Sequence, residues 1–309
     1  MRIVYFGSSE FSKIVLERLY NSGRVPILVV SVPDKYAGRH LKLTPTPVKV
    51  FSKSCSLEVI TPQNLDESNF INLLKGMNID LFVVVGFGKI IPPSLLIIPK
   101  IMPIALHPSL LPLYRGASPI NWAIIKGERK TGVTVFKVNE TIDSGDIILQ
   151  EEVFIDDNDD SLTLSGKLAN IGSNLLLRSI SAIEENRFSL KLQDESKATF
   201  APKLKKTNGR IYWDKDANSI RNLVRGIKDW PQAYTYYKGK MLKILEVEAE
   251  NEYFSAQPST VVKVEKNGIY VATGRGIIKI VRLKPEGKRE MLSGDFICGY
   301  RIKVGEKFE

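Results

Sequence analysis

The chain opens on a short apolar run, Met1 to Phe6, that Gly7 breaks, after which Phe11, Ile14, Val15 and Leu19 recur at the spacing of one helical face. That pattern predicts strand, tight turn and helix. Further apolar runs at Ile27 to Val32, Leu81 to Val85 and Met102 to Leu106 are separated by helical or polar segments. They are too uniformly apolar to leave one face in water, so they read as parallel strands covered on both sides. Thr131 to Val138 and Ile147 to Phe154 are also strand-like. From Leu162 to Ile183 the leucines and isoleucines repeat with helical period, behind Asp160 and Ser161 as candidate caps. The front of the chain, residues 1–189, is therefore expected to be an α/β domain with a doubly wound, mostly parallel sheet.

Residues 190–206 are polar and mixed and end in Lys203, Lys205 and Lys206, which suits an interdomain connection. Beyond them the pattern changes. Ala233 to Tyr237 and Met241 to Val247 flank Lys238-Gly239-Lys240, while Thr260 to Glu265 and Ile269 to Thr273 flank Asn267-Gly268, a hairpin signal. Gly274-Arg275-Gly276 leads into Ile277 to Leu283. Short strands joined by tight turns predict a smaller β-barrel domain over residues 207–309.

Composition narrows the classes. With 309 residues, 43% of them apolar, the chain can bury two cores. No apolar run approaches the roughly 20 residues that cross a bilayer. Glu10 and Lys13 follow Met1 to Phe6 too closely for a secretory core. A cytoplasmic protein with no membrane association is expected. Two cysteines, Cys55 and Cys298, and two histidines, His40 and His107, offer no metal-ligand spacing, and no metal is expected.

The net charge is +10, and residues 203–309 carry +9 of it, from 22 basic against 13 acidic side chains. A basic domain behind a nearly neutral one suits a polyanion-binding appendage. It equally suits solvated surface lysines. Gly7-Ser8-Ser9 lacks both the GxGxxG spacing and a Walker lysine, so a plain strand-to-helix turn is the favoured reading. A weaker one has Ser8 and Ser9 facing a substrate phosphate at the helix start.

The chemistry concentrates in Ile104-Ala105-Leu106-His107-Pro108-Ser109-Leu110-Leu111-Pro112, followed by Tyr114-Arg115-Gly116-Ala117-Ser118-Pro119. A histidine directly after an apolar strand of an α/β sheet sits outside the strand's carboxyl end, where ligands bind. The rigid, apolar Ser109 to Pro112 that follows suits the wall of a pocket for a flat heterocycle. Downstream, Asp143-Ser144-Gly145 places an acid in a glycine turn between two strands. Its carboxylate could approach His107, hold its tautomer and tune its basicity. Taken singly, a strand-end histidine is usually structural and Asp-x-Gly is a common turn.

The chain resembles the folate-dependent formyltransferases, which share Asn-x-His-x-Ser-Leu-Leu-Pro and a downstream Asp-x-Gly. Within them it is most similar to the methionyl-tRNA formyltransferase branch, nearly end to end. The likeness includes Pro33 to Arg39, Thr44 to Lys49, Val85 to Pro92 and Thr199 to Leu204. The resemblance implies transfer of the formyl group of 10-formyltetrahydrofolate to the amino group of initiator methionyl-tRNA, by an enzyme expected to act as a monomer. It makes His107 the polar partner of the developing oxyanion and gives Asp143 the tasks of orienting it and moving the amine proton. Ser109, Leu110, Leu111 and Pro112 would line the folate pocket, with Gly86, Phe87 and Gly88 as a second wall. Lys35, Arg39 and Lys42, in the loop from Asp34 to Leu43, would meet the tRNA acceptor end, and the basic domain would add phosphate contacts.

This sequence departs from the family at Ala105, where the family has asparagine, and an oxyanion donor of that kind is worth about 10² to 10³ in kcat. Lesser departures are Ser8-Ser9 for Thr-Pro and Ser144 for threonine. Two alternatives stay open: a catalytically silent folate or tRNA-binding relative, and a formyltransferase acting on an amino sugar or other small amine.

Overall fold

The computed structural model describes residues 1–37, 42–250, 252 and 255–309. The chain divides into two compact units. One comprises Met1–Pro119, Lys130–Phe154 and Ser165–Pro202; the other comprises Ile120–Arg129, Ile155–Leu164 and Lys203–Glu309.

The first unit begins as its apolar pattern predicts, with β1 (Ile3–Gly7), α1 (Glu10–Asn21) and β2 (Leu28–Val30). A small hairpin, β3 (Lys35–Ala37) and β4 (Lys42–Thr44), precedes α2 (Pro47–Ser54), β5 (Val59–Ile60), α3 (Ser68–Gly76) and β6 (Leu81–Val85). Next in the chain come α4 (Pro93–Leu96), β7 (Met102–His107), α5 (Pro119–Ile125), β8 (Lys130–Lys137), β9 (Ile147–Phe154) and the long α6 (Ser161–Glu184), of which α5 beyond Pro119 and the first turn of α6 are counted with the second unit. Seven strands form one sheet in the order β5-β2-β1-β6-β7-β8-β9. The first five run parallel, and β8 and β9 add antiparallel strands at one edge.

All five positions of β1 and all six of β7 are buried, as strands covered on both faces require. Val4, Phe6, Leu28, Val30 and Phe82 share one apolar cluster with Phe70, Leu74 and Leu95 from α3 and α4. On the opposite face α6 comes close enough at Gly172 that a Cβ there would lie 2.9 Å from Leu106 Cδ2. Asp160 caps α6 by accepting the Leu162 and Thr163 amides at 2.9 and 3.0 Å. Ser161, also expected as a cap, is instead the first helical residue.

The second unit holds β10 (Ala233–Tyr237), β11 (Lys240–Glu250), β12 (Val261–Glu265), β13 (Gly268–Ala272), β14 (Ile277–Pro285) and β15 (Met291–Leu292) in an antiparallel sheet. The carboxy-terminal tail closes it into a ring. Glu306 O accepts the Val261 amide at 2.8 Å on one side, and Glu309 and Tyr236 exchange backbone hydrogen bonds at 2.9 and 3.3 Å on the other. The β12–β13 loop consists of Lys266 and Asn267, because Glu265 pairs with Gly268. The turn therefore falls one residue earlier than the Asn267-Gly268 signal. Gly268 belongs to the strand, where Lys279 crosses over it so closely that a Cβ would meet the lysine stem at 2.7 Å.

Two helices in this unit were not anticipated, α7 (Ala217–Gly226) and α8 (Ser293–Tyr300). Asp216 caps α7, accepting the Ser219 amide at 2.9 Å, and Ile220 and Val224, four residues apart, face the barrel core. Phe308 of the tail is 2% exposed and stacks on Trp213 at 5.6 Å and 20°. Phe308→Ala is expected to cost about 3–5 kcal/mol. The check is a urea titration followed by tryptophan fluorescence, in which the midpoint should fall at constant slope. A midpoint within experimental error of the parent would show that the tail is not part of this core.

Candidate active site

The site is built at the carboxyl end of β7. Strand alternation puts Ile104 and Leu106 on one face and Ala105 and His107 on the other, and α6 covers the Leu106 face at Gly172. His107 is buried, and its Nε2 lies 2.9 Å from the carbonyl oxygen of Tyr114. A carbonyl can only accept, so Nε2 carries a proton and the basic atom of the neutral ring is Nδ1. Asp143 Oδ2 lies 3.6 Å from Nδ1 and also accepts the Gly116 amide at 2.8 Å. The histidine and the acid of the two separate motifs thus meet. The sequence reading had Asp143 hold the tautomer, whereas the Tyr114 carbonyl does so and leaves Asp143 facing the basic nitrogen.

The Tyr114 carbonyl is aimed by a left-handed backbone at φ 59°, with the Tyr114 amide donating to Thr199 Oγ1 at 2.8 Å. Asp143 is left-handed as well, at φ 52°. Such residues persist only where their surroundings over-determine them. Here the surroundings are Gln193, whose Nε2 donates to the carbonyls of Asp143 at 2.9 Å and Gly145 at 2.7 Å. Gln193 Oε1 in turn accepts from the buried Arg115 at 2.7 and 3.1 Å. The remaining guanidinium donors bind Glu195 at 2.8 and 2.7 Å and hold that carboxyl below its ordinary range. Backbone bonds from Arg115 to Thr199 and Ala201, at 2.9 and 2.7 Å, complete the frame.

Residues 190–206 therefore do more than connect. Sequence reasoning missed Tyr114, Arg115, Gly116, Gln193 and Thr199. The first three lay inside the motif that carries His107, and an arginine and a glycine after a rigid turn were available signals. Thr199 was legible only as the start of the Thr199 to Leu204 likeness, and Gln193 carried no signal, since a polar side chain in a polar stretch looks solvated.

Gly145 admits no side chain, because a Cβ there would sit 1.7 Å from the Lys137 carbonyl oxygen. Gly145→Ala is expected to push the turn outward, costing more than about 1 kcal/mol in stability. It should also lower kcat, since Gln193 would lose its hold on Asp143. Thermal melting and a formyl-transfer assay on the same preparation check both, and parent-like values in both would contradict the assignment.

The residues proposed as walls occupy distinct places. Ser109 is buried and donates to the Leu113 carbonyl at 2.6 Å. Thr134 Oγ1 donates to Ser109 O at 2.6 Å and accepts the Leu111 amide at 3.2 Å, while Gln150 donates to Leu111 O at 3.0 Å. These bonds lock the loop through Leu110, Leu111 and Pro112 onto the sheet. Leu110 fills the space over Gly132, where a Cβ would clash at 2.4 Å. Leu111 packs with Ala105, Phe136 and Ile147 in a small apolar cluster, with Val84 and Val138 against it. Ala105 is therefore surrounded by hydrocarbon.

Gly86 follows β6, whose Val85 pairs with Leu106, so it reaches the level of His107 on the adjacent strand. The backbone at Gly86 and Gly88 is exposed, with φ of 49° and 80°, but the Phe87 ring is buried in the core against Phe6 at 5.4 Å. Two hydroxyls hold this loop. Ser8 Oγ donates to the carbonyls of Gly86 and Phe87 at 2.9 Å each, and Ser12 Oγ to that of Val85. Ser9 caps α1 by accepting the Ser12 amide at 3.1 Å. The hydroxyls of Ser8 and Ser9 are thus engaged within the protein, which fits the plain-turn reading of Gly7.

Lys35 and Lys42 are exposed on β3 and β4, whose base is tied by Asp34 to Lys49 at 2.8 Å and by Ser31 to Thr46 at 2.7 Å. Arg39 lies outside the described residues.

A histidine and a carboxylate facing each other at the strand ends of an open α/β sheet are able to move a proton, and known proteins make the class specific. Residues 1–180 match the family described as formyl transferase, and residues 203–301 match its C-terminal domain. The chain belongs to the formyl transferase family. It is 42% identical to the methionyl-tRNA formyltransferase of Caldicellulosiruptor saccharolyticus and 38% identical to that of Caldanaerobacter subterraneus subsp. tengcongensis, covering 99% of both chains in each case. Among solved structures, HypX from Aquifex aeolicus in complex with tetrahydrofolic acid superposes with a TM-score of 0.66 at 18% identity. That match covers 99% of this chain and 48% of HypX, so the chain spans about half of that protein, and the likeness is one of fold.

Proposed function

We propose that this protein transfers the formyl group of 10-formyltetrahydrofolate to the amino group of methionine on initiator tRNA. The observation that carries the reading is the His107–Asp143 pair, in which Nε2 is already committed to the Tyr114 carbonyl and Nδ1 is left facing a carboxylate. The full-length relatives that bear this activity in their names support the substrate. The folate co-substrate supplies the activated one-carbon unit. Its ring would be suited by the apolar cluster of Ala105, Leu111, Phe136 and Ile147, which lies on the same face of the sheet as His107.

With Nε2 held as a donor, the unprotonated pair presents two acceptors, Nδ1 and the Asp143 carboxylate. An incoming amine is the complementary donor. As the new N–C bond forms, its proton passes to Nδ1, and the resulting imidazolium is stabilised by the adjacent carboxylate. The Nδ1–H so created can then donate to the oxyanion and, as the old C–N bond breaks, to the departing nitrogen. One proton thus serves both halves of the transfer, and the pair returns to its starting state.

Lys35 and Lys42 on the hairpin, with Arg39 between them in sequence, are the proposed contacts to the acceptor end. Ala105 favours a second reading, a protein that binds both substrates without turnover. Incubation with 10-formyltetrahydrofolate and methionyl-tRNA decides between them. Formyl-methionyl-tRNA is the expected product, and tight binding of both ligands with no product would establish the silent reading. Transfer to a small amine but not to the charged tRNA would favour the amino-sugar alternative.

A further inference from the structure

Where β10 turns into β11, the second unit holds a cavity of about 360 Å³ between that turn, the end of β14 and helix α8. Its floor is aromatic. Phe296 of α8 is fully buried, with the Tyr237 ring set against it at 5.6 Å and 63°. One turn along the helix, Tyr300 stacks on Phe296 at 4.2 Å and 14°, and Tyr300 is the exposed end of that stack. All three rings line the cavity, so a further flat ring laid on Tyr300 would continue the stack.

The rim is charged, with Lys238, Lys240, Lys288 and Glu286 on it. Lys238 is satisfied, meeting Glu306 at 3.4 Å and lying 4.9 Å over the Tyr237 ring. Lys240 and Lys288 are exposed and have no ion pair among the described residues. Elsewhere on the sheet the cations are neutralised, Lys279 by Glu248 at 3.0 Å and Arg282 by Glu246 at 3.4 Å. Glu286 Oε2 accepts the Met241 amide at 3.3 Å, which leaves Oε1 to accept from a ligand hydroxyl. An aromatic wall, two uncompensated cations and one carboxylate acceptor complement a ring, a phosphate and a sugar hydroxyl.

Size and charge favour one nucleotide over a strand of RNA. The volume lies near the lower end of the range for small-molecule sites, about 300 to 1,000 Å³. Around the β10–β11 turn, Glu286, Glu306 and Glu309 are interleaved with the lysines, Glu309 accepting the Gly239 amide at 3.2 Å. Those carboxylates repel the successive phosphates of a chain, whereas a single phosphate meets Lys240 and Lys288.

We propose that this cavity binds a free nucleoside monophosphate, with the base on the Tyr300 ring, the phosphate held by Lys240 and Lys288, and a ribose hydroxyl donating to Glu286. Every residue in it belongs to the second unit, and none takes part in the proposed formyl transfer.

The test is calorimetric titration of the full chain with AMP, adenosine and inorganic phosphate. AMP should bind at least about tenfold more tightly than either of the others, since it alone engages ring and rim together. Tyr300→Leu should weaken AMP by about 5- to 150-fold, the worth of one base stacked on an aromatic ring, and Tyr300→Phe should return it to the parent value. The double variant Lys240→Gln/Lys288→Gln should weaken AMP by about 3- to 25-fold, up to about fivefold for each rim ion pair, and leave adenosine unaffected. Lys303→Gln, an exposed cation that does not line the cavity, should match the parent. Thermal melting of each variant without ligand separates lost binding from lost fold, and the lysine variant decides the matter if Tyr300→Leu melts early. AMP bound no better than phosphate, or bound equally well by the lysine variant, would overturn the site. Displacement of AMP by stoichiometric unacylated initiator tRNA would overturn it too, and AMP retained in the presence of that tRNA is the expected result.

Discussion

Asp143→Asn is expected to lower kcat for formyl transfer by about 10²- to 10⁴-fold, the usual worth of a positioned proton-transfer group. The fold should survive the change. Asparagine can place its carbonyl oxygen where Oδ2 now sits and keep the Gly116 amide, whose bond is 2.8 Å long. What it cannot keep is the negative charge facing Nδ1 at 3.6 Å, which in the proposed mechanism stabilises the protonated ring. Because the charge acts on the transition state, kcat and kcat/KM should fall together and KM should barely move. Steady-state kinetics with methionyl-tRNA varied at saturating folate checks this. A raised KM at constant kcat would mean that Asp143 binds substrate and takes no part in moving the proton.

The second large effect runs the other way. Ala105→Asn should raise kcat by about 10²- to 10³-fold if the amide supplies a second oxyanion donor beside the protonated His107. Position 105 lies on the same strand face as His107, two residues away, so an amide there would point toward the same space. The structure adds an opposing expectation. Apolar side chains, Leu111, Phe136 and Ile147, surround Ala105, which is 8% exposed, and an amide placed among them without ligand would lack partners. The variant should therefore lose about 1–3 kcal/mol of stability in the absence of substrates. Binding of folate should restore part of it. A stable variant with unchanged turnover would show that the oxyanion lies elsewhere.

How much of this was legible in the residues differs from element to element. The parallel strands announced themselves because burial on both faces leaves an uninterrupted apolar run, and the limits of β6 and β9 are the predicted ones. Helix α7 escaped because its apolar residues are few and sit among arginines and asparagines, so its face shows only when period and cap are weighed together. The tail that closes the barrel is five mixed residues with no strand period of its own, and its pairing is a long-range fact. At the site, His107 and Asp143 could be joined by motif and spacing.

The direction of the proton could not be read that way. It depends on a backbone carbonyl, that of Tyr114, and every residue has one. Nor could Gln193, whose two bonds to main-chain carbonyls define the acid's turn, be told from the polar residues around it. The Phe87 ring adds what the motif could not tell: it packs against Phe6 in the core and leaves the neighbouring glycine backbone exposed.

The proposed transfer turns on a single proton shared between imidazole and carboxylate, and a double-mutant cycle addresses it directly. Single-turnover rates of formyl-methionyl-tRNA formation are measured for Asp143→Asn, His107→Asn and the two combined. If both side chains serve one proton, the combined variant should fall within about threefold of the slower single variant, because the second substitution removes nothing that still works. Losses that multiply would mean two independent contributions, and the proposed pair would not exist as a catalytic unit.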